Sequence, residues 1–73
     1  VSSRIQITIS EEEASTVFKD IQTIAPKDKA IVAKTSAPGR ENSQLLIVLT
    51  DDPDVEFMLR LKYAGCETHI TRF

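Results

Sequence analysis

Cysteine occurs once in these 73 residues, tryptophan not at all, tyrosine once, glycine twice and proline three times. The single thiol, Cys66, excludes an internal disulfide and fits a reducing compartment, so a cytoplasmic location is expected. Gly39 and Gly65 stand far apart, which excludes a glycine-rich phosphate cradle. The longest unbroken apolar run covers residues 45–49, well short of the roughly eighteen that cross hydrocarbon, so no direct membrane insertion is expected. No basic stretch leads into an apolar one, so no signal peptide is visible. Neither charge sign dominates. Nine Lys and Arg against eleven Asp and Glu leave a net charge of -2, which provides no general attraction to a phosphate backbone, and no nucleic-acid partner is expected.

What is present, 41% hydrophobic and 27% charged residues, suits a single domain over residues 1–73. A chain this short buries only about three fifths of its unfolded surface, so a covering partner would stabilise it. The start at Val1 and the apolar end at Phe73 fit a domain excised from a longer chain as well as a small protein with a processed start.

Residues 4–9 alternate strictly between polar and apolar, which predicts a strand with Ile5, Ile7 and Ile9 toward the core. Ser10 followed by Glu11, Glu12 and Glu13 reads as a capping box at a helix start, with the acids at the positive end of the dipole. Ala14, Val17, Phe18, Ile21, Ile24 and Ala25 then mark one apolar stripe, which Pro26 ends. Residues 30–35 read as a second strand. The turn-rich stretch 36–43 is too short for a crossover helix, so the second and third strands pair antiparallel. Gly39 is expected to take positive φ there, presenting Arg40 and Glu41 at the hairpin tip. The third strand, residues 44–50, is apolar enough to be central with both faces partly covered. Asp52 before Pro53 predicts the cap of a second helix running to about Ala64, with Gly65 as its left-handed stop. Residues 66–73 close the chain as a fourth strand whose core face the alternation leaves open.

Strand, helix, strand, strand, helix, strand is the order of a ferredoxin-like split βαββαβ sandwich: an α+β fold with four antiparallel strands in order 4-1-3-2 and both helices on one face. Such a fold leaves the other sheet face open. On the third strand either Leu45, Ile47 and Leu49 or Leu46, Val48 and Thr50 point there, and the alternation leaves the choice open. We assign the docking set to Leu46 and Val48 with Val32 on the second strand, joined by Arg40 and Glu41 from the hairpin. RNA-recognition domains share the topology but stack bases on aromatics of the first and third strands, where this chain has none.

Small ligand-sensing domains of the amino-acid-binding type resemble this topology and hold a ligand near the first strand-to-helix junction. Carried onto this chain, that resemblance implies Ser10, Glu11, Asp51 and Asp52 as contacts. Cys66 and His69, three apart, would point to opposite faces of a strand, which argues against a metal site or a nucleophile and base pair. The acids sit at helix starts, where capping and the helix dipole account for them. The expected function is a non-catalytic regulatory or protein-interaction module without cofactor or metal, binding another protein or a second copy through its open sheet face or edge strands. The alternative is a small-molecule-sensing regulatory domain of a larger protein.

Overall fold

A computed structural model describes residues 2–73 of the chain. The elements are β1 (Ser3–Ser10), α1 (Glu11–Ile24), β2 (Ala30–Ser36), β3 (Ser43–Thr50), α2 (Pro53–Lys62) and β4 (Glu67–Arg72). The strands form one antiparallel sheet in the order β2-β3-β1-β4, and both helices cover the same side of it. This is the ferredoxin-like βαββαβ sandwich that the sequence order predicts.

The core follows from register. Ile5 lies opposite Val48 and Ile70, and Ile7 opposite Leu46 and Thr68, so the isoleucine face of β1 brings the matching residues of both neighbouring strands under the helices. Ile5, Ile7, Leu46, Val48, Ile21 and Leu59 are fully buried. Each contributes roughly 1.5–3 kcal/mol of burial relative to exposure. Ala14, Val17 and Ile21 of α1 and Val55 and Leu59 of α2 close the layer from above. Cys66 and Ile70 pack against this core, which settles the orientation of β4: Thr68, Ile70 and Arg72 face the helices, while Glu67, His69 and Thr71 face the open side.

This register also corrects the docking set. Leu46 and Val48 are wholly buried, and Val32, opposite Val48, is half-buried on the helix side. None of the three lies on the open face. The alternate set, Leu45, Ile47 and Leu49, faces outward, because pairing with β1 places Leu46 and Val48 beside Ile7 and Ile5.

The helix ends are handled unequally. Asp52 accepts a hydrogen bond from the Asp54 amide at 2.9 Å, with Pro53 in the first turn, as expected of a cap. Ser10 occupies the cap position of α1 in extended backbone, but its side chain makes no cap hydrogen bond. The amide of Glu11, the first residue of the helix, donates to the carbonyl of Asn42 at 2.8 Å, so the hairpin satisfies one of the free amides at this end. Gly65 does not take positive φ. The helix stops at a turn in which Cys66 N–H donates to Tyr63 O at 3.0 Å. Positive φ occurs at Gly39, as expected, and also at Asn42, a residue type that tolerates it.

Candidate functional site

The open face is built from three cross-strand rows. The first runs Ile31, Leu49, Arg4, Thr71; the second Ala33, Ile47, Gln6, His69; the third Thr35, Leu45, Thr8, Glu67. The face therefore divides down its middle. The β2–β3 half carries Ile31, Ala33, Leu45, Ile47 and Leu49, whereas the β1–β4 half is polar. Ile31 is 67% and Leu49 40% exposed, the greatest exposure among the large aliphatics of this face. A groove of about 470 Å³ opens beside them, lined in part by Lys27, Lys29, Asp51 and Phe73.

Charge on this face is arranged from one end to the other. At the Leu49 end, the Arg4 guanidinium lies 5.9 Å from the ring centroid of Phe73, and its Nε is buried without a hydrogen-bond partner among the described residues. Arg4 belongs to no ion pair among the described residues. At the Leu45 end, Arg40 reaches back from the hairpin and grips Glu67 with two guanidinium nitrogens, Nη2 donating to Oε1 at 2.9 Å and Nη1 meeting Oε2. Both side chains are more than half exposed, so the pair contributes at most about 1 kcal/mol, but it fixes the hairpin over the end of the sheet. Glu41 beside it is exposed. The hairpin residues expected at the tip thus stay on the surface, with Arg40 engaged by its own domain.

A second polar cluster lies on the helix side, next to a cavity of about 220 Å³ at the start of α2. Glu56 is buried there, with Ser3 Oγ donating to Oε1 at 2.7 Å. Arg72 donates through Nε to Oε1 at 3.2 Å and through Nη2 to Oε2 at 2.7 Å. The Arg72 hydrogen bond, then that from Ser3, holds the Glu56 carboxyl below its ordinary value of 4.5 against the opposing effect of burial, and the same pairing raises Arg72. Both carboxylate oxygens are occupied. The cluster clamps β4 onto α2 and β1. Tyr63 is also buried, its hydroxyl has no partner among the described residues, and burial pushes its pKa up, with smaller contributions from Asp20 and Cys66.

The other residues singled out in the sequence are dispersed. Ser10 and Glu11 sit at the β1–α1 junction, and Asp51 and Asp52 at the β3–α2 junction. Because β1 and β3 are antiparallel, these junctions lie at opposite ends of the sheet, about 24 Å apart at strand rise, and share no site. Cys66 packs toward the core while His69, opposite Gln6, is on the open side.

A third surface lies on α2. Phe57 and Leu61 are 59% and 63% exposed, and Met58 is exposed beside them. Their positions on a helical wheel give the signal: with Val55, Glu56 and Leu59 inward, residues 57 and 61 fall on the far side. Comparison with known proteins identifies no relative: no family model matches the chain, and no curated protein matches it.

Proposed function

We propose that this domain is a non-catalytic regulatory or protein-interaction module that docks a protein on the β2–β3 half of its open sheet face. The observation that carries this reading is the contiguous aliphatic strip of Ile31, Leu45, Ile47 and Leu49 on a sheet face with no layer over it. Arg4 supports it and narrows the partner's chemistry. A buried guanidinium nitrogen without an acceptor among the described residues favours an apolar ridge that also brings a carboxylate to the Leu49 end.

A photoreactive residue at Ala33 tests the reading, with one at the exposed Glu12 of α1 as control. The expected result is a defined crosslinked product from Ala33 alone, lost when Ile31→Asp/Leu49→Ser is introduced into the photoreactive chain itself. A product that persists with those substitutions, or crosslinking equally strong from Glu12, contradicts a sheet-face site.

A further inference from the structure

The domain exposes two apolar surfaces on opposite sides of its two layers, and their charges are complementary at one end. One is the β2–β3 strip of the open face. The other is the outer ridge of α2, where Phe57 and Leu61 stand one helical turn apart, directed away from Val55 and Leu59. A solvated helix ordinarily places polar residues there. The strip is long enough to seat the ridge: at helical rise Phe57 to Leu61 spans about 6 Å, within the roughly 13 Å along the strand from Leu45 to Leu49.

The charges give the pairing a direction. The N-terminal end of the ridge is flanked by Asp54 and the C-terminal end by Arg60, and neither belongs to an ion pair among the described residues. On the sheet strip, Arg4, which belongs to no ion pair among the described residues, stands beside Leu49, whereas at the other end Glu67 lies two strands from Leu45 and is held by Arg40. A helix laid along the strip with its N-terminus at Leu49 brings Asp54 to Arg4. Two sheet faces stacked about a two-fold axis lack this match, since the only acid among the three rows, Glu67, is already held by Arg40. We infer that the occupant of the open face is the α2 ridge of a second copy of this chain, giving a head-to-tail contact that repeats from one copy to the next. Such a contact uses different surfaces on the two partners, so it extends into stacks or rings rather than ending at a dimer. The inference rests on the sheet-face reading above and names its partner.

Complementation between two variants tests it. Phe57→Ser/Leu61→Ser removes the ridge and leaves the sheet strip. Ile31→Asp/Leu49→Ser removes the strip and leaves the ridge. All four positions are substantially exposed, and circular dichroism and thermal melting establish that both variants fold. Sedimentation equilibrium up to about 1 mM covers the weak association expected of an interface this small. Wild-type protein is expected to form a concentration-dependent series beyond the dimer. Each variant alone is expected to weaken association at least about tenfold. An equimolar mixture then gives 1:1 dimers that grow no further, because each dimer has one intact pair of surfaces and two blocked ends.

A charge swap provides a second measurement. Asp54→Arg weakens the wild-type series, and adding Arg4→Glu in the same chain restores it. A wild-type monomer at the highest concentration overturns the inference, as does a mixture that stays monomeric or a charge swap without recovery. Association lost in the sheet variant but kept in the ridge variant overturns the α2 partner and leaves the sheet-face reading standing. Association kept in both variants contradicts the two together.

Discussion

Glu56 receives hydrogen bonds from Ser3, 53 residues earlier in the chain, and from Arg72, 16 residues later, so one carboxylate ties the first strand, the second helix and the last strand together. Ser3→Ala removes one donor to a buried charge and is expected to cost about 1–2 kcal/mol in chemical denaturation. Its acid dependence has a definite sign. Because the folded carboxyl titrates below its ordinary value of 4.5, the clamp's contribution is complete above that value and is lost as pH falls through the lower, folded one. Glu56→Gln is therefore expected to flatten the loss of stability between about pH 5 and pH 2, measured as unfolding midpoints across that range. An acid limb as steep as the wild type's contradicts this assignment. Tyr63 poses the converse case, a buried hydroxyl with no partner among the described residues. Tyr63→Phe deletes only that group and is expected to leave stability unchanged or raise it by about 1 kcal/mol.

The two helix starts and the central strand make separable predictions. Asp52→Ala is expected to cost about 1 kcal/mol because its carboxylate caps the Asp54 amide. Ser10→Ala is expected to stay within about 0.5 kcal/mol, since the Ser10 side chain makes no cap hydrogen bond. On β3, Leu46→Ala opens a cavity in a fully buried site and is expected to cost about 2–5 kcal/mol. Leu49→Ala at the exposed position is expected to cost about 1 kcal/mol or less. Melting these four variants side by side checks the capping assignment and the orientation of β3 together.

These elements also explain what was legible beforehand. Strict alternation in β1 and the turn chemistry between β2 and β3 are local signals, and they led to the observed strand order. The sequence 45–49 is apolar at every position, so its own pattern does not distinguish the two faces. Only pairing with Ile5 and Ile7 across the sheet settles them, which is why Leu46, Val48 and Val32 were assigned to the wrong side. The Asn42 acceptor and the Ser3–Glu56–Arg72 clamp join residues distant in sequence, and no local pattern announces them. The α2 ridge was different: its spacing was visible, but an apolar residue on a short helix reads as core until the packing partner is known.

At the scale of the whole molecule, a two-layer fold of this length has one buried interface and two outer surfaces, and here both outer surfaces carry apolar residues. The sheet strip has a cationic end and the helix ridge an acidic one, so contact between copies would cover both at once. Such a contact predicts salt sensitivity as well as sensitivity to truncation, because it brings the opposite charges of Arg4 and Asp54 together. Raising ionic strength from about 0.05 to 0.5 M is expected to weaken association, as read from the sedimentation-derived dissociation constant.

The most direct measurement is an amide-resolved nuclear magnetic resonance dilution series of the wild-type protein from about 1 mM to 20 μM, the range for association of this weak class. The account predicts concentration-dependent shifts at Ile31, Ala33, Ile47 and Leu49 on the sheet and simultaneously at Phe57 and Leu61 on α2, fitted by one dissociation constant. Spectra that do not change across the series, or shifts confined to the β4 edge or the α1 surface, would contradict it.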